Sequence, residues 1–168
     1  ETIGSAKVES GVMPMIVENR VGGRLVRALF GPLSGRSLQQ KQSFLEGQLG
    51  KEIASPLLTI TDDPFIPKGL GSRWWDGEGI ASKKFPVVEK GVLKTYYIDD
   101  YYGRKLGVSP TTGSSSNLTF APGKKKLDEV LADVGRGILV TGFLGGNSNG
   151  TTGDFSFGVQ GFLIEKGK

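Results

Sequence analysis

The chain has 168 residues, of which 37% are hydrophobic and 23% charged, enough for one domain with a real core and short for two. It contains neither histidine nor cysteine, which excludes Ser-His-Asp and Cys-His catalysis, a disulfide framework and the commonest zinc ligands within these residues. The net charge of +4 is scattered and comes with no DNA- or RNA-binding motif, so nothing in the sequence supports nucleic-acid binding, and no run of about 18 apolar residues exists to span a membrane.

Met13 to Val17 is a short apolar run that predicts a buried strand. Arg24 to Phe30 has apolar positions at helical spacing, stopped by Gly31-Pro32. Ser37 is placed to cap a second helix running through about Leu45. Leu57 to Thr61 reads as a strand closed by Asp62-Asp63-Pro64, and Asp76-Gly77-Glu78-Gly79 as a turn. Lys84 to Val88 and Val92 to Ile98, separated by Glu89-Lys90-Gly91, form a predicted hairpin. Tyr101 to Leu106 suits a short helix ending at Gly107. Asn117 to Phe120 resembles a strand, Leu127 to Val134 a helix, Gly137 to Leu144 a strong strand, and Phe155 to Ile164 a final strand. Glycine supplies 27 of the 168 residues, about twice its usual share, which favours turns and short strands over a bundle. The predicted class is α+β, mainly antiparallel sheet of barrel- or sandwich-like form, with about three short helices in a single domain over 1–168. Both ends read as cuts inside a longer protein.

Several motifs carry a bland reading. Gly142-Phe143-Leu144-Gly145-Gly146 lacks the Gly-Lys-Ser/Thr ending of a phosphate loop. Asp62-Asp63 and Asp99-Asp100 are adjacent pairs; neighbours on a strand point to opposite faces, so neither makes a catalytic dyad alone. Lys124-Lys125-Lys126 reads as solvated surface, and no Ser-x-x-Lys spacing exists. All six Trp and Tyr residues fall between Trp74 and Tyr102, open to either a core or a binding-surface role.

The order of motifs resembles the TldD/PmbA family, once called modulators of DNA gyrase. The matching stretches are Gly47-Gln48-Leu49-Gly50 through Thr59-Ile60-Thr61-Asp62-Asp63; Asp76-Gly77-Glu78-Gly79; Gly91-Val92-Leu93 to Tyr97-Ile98-Asp99; Arg104-Lys105-Leu106-Gly107; Thr112-Gly113; and Thr152-Gly153-Asp154-Phe155-Ser156 into Gly161-Phe162-Leu163-Ile164. Together they cover nearly the whole chain, as a C-terminal metallopeptidase-like domain.

In that family the TldD-type subunit binds zinc through a His-Glu-x-x-x-His helix. Counting back without gaps, those positions fall here on Val26, Arg27 and Gly31, none of which ligates a metal. That departure is similar to the TldE/PmbA-type subunit. The resemblance then implies a non-catalytic half of a heteromeric zinc peptidase acting on unfolded peptides. It implies no cofactor in this chain, zinc in a TldD-like partner, an extended peptide as substrate, no membrane, and a cytoplasmic setting. Two alternatives stand beside it: a peptidase active by itself through groups outside these residues, and a regulatory or nucleic-acid-associated module. Asp99, Arg104, Thr112, Gly113 and Asp154 lie in the family-like motifs as candidate substrate or interface residues, with Arg104 and Asp154 as a candidate ion pair.

Overall fold

A computed structural model describes residues 7–168. In chain order the elements are β1 (Met15–Val17), α1 (Asn19–Phe30), α2 (Gly35–Gln39), β2 (Ile60–Asp62), β3 (Phe85–Glu89), β4 (Val92–Leu93), α3 (Asp100–Leu106), β5 (Leu118–Phe120), α4 (Leu127–Val134), β6 (Gly137–Ser148) and β7 (Phe155–Ile164). The class is α+β, as expected, with four helices among the described residues against about three expected. The strands form two open sheets, ordered β1-β6-β7 and β4-β3-β2-β5. Neither sheet closes on itself, so the barrel form is not adopted; the outer edge of β4 is bridged by Glu52 to Val92.

Contacts divide the chain into two compact units where length alone predicted one domain. Among the described residues the first comprises 7–26, 123–147 and 155–168, the second 27–122 and 148–154. In the first unit β1 lies parallel to β6, with Met15 opposite Ile138 and Val17 opposite Val140. This parallel ladder departs from the otherwise antiparallel pattern. Val140 and Ile164 are fully buried. Gly161 is required by close approach: a Cβ there would stand 1.9 Å from the carbonyl oxygen of Leu139. Helix α4 opens with Glu129 accepting from the Lys126 N–H at 2.7 Å, the reciprocal half of a capping box.

The second unit holds a core of Leu33, Leu45, Ile60, Val87, Val88, Leu93 and Tyr97. Each such side chain contributes about 1.5–3 kcal/mol by leaving water. The β3–β4 hairpin turns at Lys90 (φ 47°) and Gly91 (φ 81°), and positive φ at both central residues is the type I′ signature that matches strand twist. Here β4 is only two residues long, against the predicted run to Ile98. The chain leaves β3 because Tyr97 donates its N–H to Leu33 and accepts from Gly35, both at under 3 Å, forming a parallel bridge at Ser34. Helix α2 is capped by Ser34, whose hydroxyl oxygen accepts from the Ser37 N–H at 3.2 Å. Ser37 therefore lies inside the helix, which ends at Gln39 and not near Leu45. Gly35 is wedged against Tyr102, where a Cβ would come within 2.9 Å, and this contact fixes the helix start.

Candidate functional site

Asp62 and Asp63 are split between two tasks, as their opposite strand faces require. Asp62 is 2% exposed and accepts from the Tyr97 hydroxyl at 2.8 Å, the Ser116 N–H at 3.0 Å, and the Ser116 hydroxyl. Burial, reinforced by the Asp62 charge, pushes the Tyr97 phenol far above its ordinary value, so it stays a donor at any working pH. Asp63 pairs with Lys84 at 2.8 Å and accepts from the Phe65 N–H; the Lys84 hydrogen bond and that N–H hold its carboxyl below the usual range.

A second buried carboxylate organises the family-like motifs. Asp76 Oδ1 accepts from the N–H groups of Glu78 and Ile80, both at 3.0 Å, closing the predicted turn. Its Oδ2 accepts from the Thr112 hydroxyl at 3.0 Å. Burial alone would raise this carboxyl; the donors Glu78, Ile80, Thr112 and the Gly113 N–H outweigh it and hold the carboxyl below its ordinary value. Thr112 and Gly113 thus brace a buried aspartate that the sequence reading treated only as part of a turn.

Asp99 caps α3 by accepting from the Tyr102 N–H at 2.7 Å, and Gly107 closes that helix in the left-handed conformation. A Cβ on Gly113 would lie 3.2 Å from Asp99, so Asp76, Asp99, Thr112 and Gly113 form one neighbourhood. Arg104 does not join it through Asp154. Arg104 pairs with Asp100 one turn earlier in α3 at 2.6 Å, while Asp154 accepts from the Thr152 hydroxyl at 2.7 Å. The expected Arg104–Asp154 pair is absent because each finds a partner within four residues. The aromatic group also divides: Tyr97 is core, Tyr96 donates to the Leu45 carbonyl at 2.5 Å, and Trp74 and Trp75 are 73% and 65% exposed.

Around Asp62 lies a cavity of about 310 Å³, lined by Arg73, Ser82, Lys83, Lys84, Phe85 and Thr112 among others. The Arg73 guanidinium donates to the carbonyls of Ser115 at 3.1 Å and Ser114 at 2.5 Å, but its Nε is buried without an acceptor. An orphaned buried donor costs about 1–3 kcal/mol. Sequence reasoning passed over Arg73; only its position beside Trp74-Trp75 could have drawn notice.

The comparisons with known proteins agree with this geometry. Residues 10–168 match the PmbA/TldA metallopeptidase C-terminal domain, and the chain belongs to the PmbA/TldD family. It is 33% identical over 164 residues to the metalloprotease PmbA of Escherichia coli O157:H7, covering 96% of this chain and 36% of that protein. A crystal structure from Bacteroides thetaiotaomicron, described as a proposed modulator of DNA gyrase, is 50% identical with a TM-score of 0.94, covering 98% of this chain and 38% of that one. TldE from Thermococcus kodakarensis is 29% identical with a TM-score of 0.83, over 93% and 39%. The chain spans little more than a third of the length of the curated relatives it matches.

The zinc of the family does not fit the residues present. Helix α1 carries Val26 and Arg27, two of the three residues that the expected spacing singles out. Gly31, the third, lies one residue beyond the helix end at Phe30. Five residues at 3.6 per turn would also set positions 26 and 31 about 140° apart around an ideal helix. Among the described residues, no three Asp or Glu side chains gather to hold a metal. No helix there is long and apolar enough to cross a membrane.

Proposed function

We propose that the protein is a TldE/PmbA-type, non-catalytic subunit of a composite zinc peptidase, working in the cytoplasm with a TldD-like partner that carries the metal. The observation that carries this reading is the absence of ligands at the end of α1: Val26 and Arg27 in its last turns and Gly31 past its end, in a sequence without histidine or cysteine. A guanidinium at the position of the water-activating glutamate would repel a cation rather than serve as a base.

An extended peptide as substrate is supported by β7, the edge strand of its sheet. Its ten residues contain no charged side chain, and Phe155, Phe162 and Leu163 stand exposed. Such an edge is a template for adding another extended chain.

The test is cleavage of an unstructured peptide by the full-length protein, alone and mixed with a subunit bearing His-Glu-x-x-x-His. Activity confined to the mixture and abolished by a chelator is the expected outcome. Cleavage by the protein alone would overturn the reading and place catalytic groups outside these residues.

A further inference from the structure

The cavity beside Asp62 carries an imbalance that the proposed subunit role leaves unused. Three cations and one carboxylate line it: Arg73, Lys83 and Lys84 against Asp62, a formal +2. Asp62 is saturated by Tyr97 and Ser116, and Lys84 is neutralised by Asp63 at 2.8 Å, which leaves +1. Lys83 forms no ion pair among the described residues, and Arg73 Nε has no acceptor. The Arg73 and Lys83 cations therefore have no ion-pair partner among the described residues, beside a space of about 310 Å³, at the low end of small-ligand volumes.

Pro64, Ile80, Ala81, Phe85 and Pro110 supply an apolar part of the wall, beside the hydroxyl residues Ser82, Thr95, Thr111, Thr112 and Ser116. Next in the chain to Pro64 and Arg73 stand Phe65 and Trp74, both exposed, with ring centroids 5.5 Å apart. A doubly charged inorganic anion would exceed the residual +1 and leave these apolar groups unmatched. A single carboxylate on an apolar body matches both.

We propose that this cavity binds the free C-terminal carboxylate of an extended peptide, with Arg73 and Lys83 holding the carboxylate and Phe65 and Trp74 meeting the residues before it. The proposal rests on the composite-peptidase reading for the ligand being a peptide, and it adds which end is held. Binding measured without the partner subunit separates the two: loss of cleavage in the mixture leaves this site standing, and loss of binding leaves the subunit role standing.

The experiment is calorimetric titration of the full-length protein with three probes: an apolar hexapeptide with a free C-terminus, the same peptide C-terminally amidated, and inorganic phosphate. Hydrogen bonds to a charged group set the expected preference for the free acid over the amide at about tenfold or more. Lys83 is exposed, so Lys83→Glu keeps the fold and is expected to remove most of that preference; Arg73→Gln is expected to do the same. Equal binding of acid and amide would overturn the proposal, as would a preference unchanged in both variants. Displacement of the free-acid peptide by phosphate at equal concentration would reassign the cavity to inorganic anions and overturn the peptide-end assignment.

Discussion

Asp76 offers the sharpest test of how the family-like motifs are held together. Its two oxygens accept from the Glu78 and Ile80 N–H groups at 3.0 Å and from the Thr112 hydroxyl at 3.0 Å, with the Gly113 N–H as a fourth donor. In Asp76→Asn one side-chain oxygen still closes the turn, but an amide –NH2 then faces the Gly113 N–H and the Thr112 hydroxyl. The hydroxyl rotates to accept; the backbone N–H has no such freedom and loses its acceptor. One lost hydrogen bond to a charged group, with its donor left unpaired at a site 8% exposed, predicts a loss of about 2–3 kcal/mol. Because the folded Asp76 carboxyl titrates below its ordinary value, its stabilisation is present above the usual carboxylate range near about 3.9 and is lost as pH falls through the folded value. Urea unfolding of the full-length protein at pH 7 and at pH 3–4 reads both effects. The variant should unfold at lower urea at pH 7 with an unchanged slope, and the gap to the unmodified protein should narrow at acid pH. A shift under about 0.5 kcal/mol at pH 7, the scale of ordinary surface changes, or a gap that does not narrow in acid, would refute the claim that an ionised Asp76 braces Thr112 and Gly113.

Two further outcomes follow from the second unit. Tyr97→Phe keeps the ring contacts with Phe30 and Phe85 but strips a donor from buried Asp62, for an expected loss of about 1.5–3 kcal/mol by chemical denaturation. Gly91→Ala forces a side chain onto a residue at φ 81° with its Cβ 2.2 Å from the Ala54 carbonyl oxygen. The penalty should exceed the roughly 1 kcal/mol of a purely conformational substitution, with the unfolding midpoint as the readout.

Where local signals decided an element, the sequence was enough. The apolar spacing of α4 and the alternation of β7 reproduce Leu127–Val134 and Phe155–Ile164 to the residue, and Gly107 stops α3 where a left-handed residue is needed. Misjudged elements were those settled by partners far along the chain. The predicted strand from Val92 to Ile98 is cut short because Tyr97 is drawn to Leu33 and Gly35, more than sixty residues earlier. The choice between Ser34 and Ser37 as the α2 cap turns on Gly35 meeting Tyr102. Neither contact leaves a trace in spacing or composition.

The candidate site shows the same division. The expectation that Val26, Arg27 and Gly31 stand at the metal-binding positions rests on counting along the sequence, and what the residues themselves decide is that none of the three can ligate a metal. Asp99, Thr112 and Gly113 were singled out as members of motifs, and in the structure Thr112 and Gly113 meet at Asp76, which accepts from both. Arg104 and Asp154 were singled out together but are each satisfied locally, by Asp100 and Thr152. Arg73 is the converse case. Beyond its place beside Trp74-Trp75 nothing in the sequence marks it, and only the fold shows its guanidinium donating to Ser114 and Ser115 while its Nε is buried without an acceptor. A charge that the local chain does not neutralise is visible only in three dimensions, and such a charge is what a ligand can use.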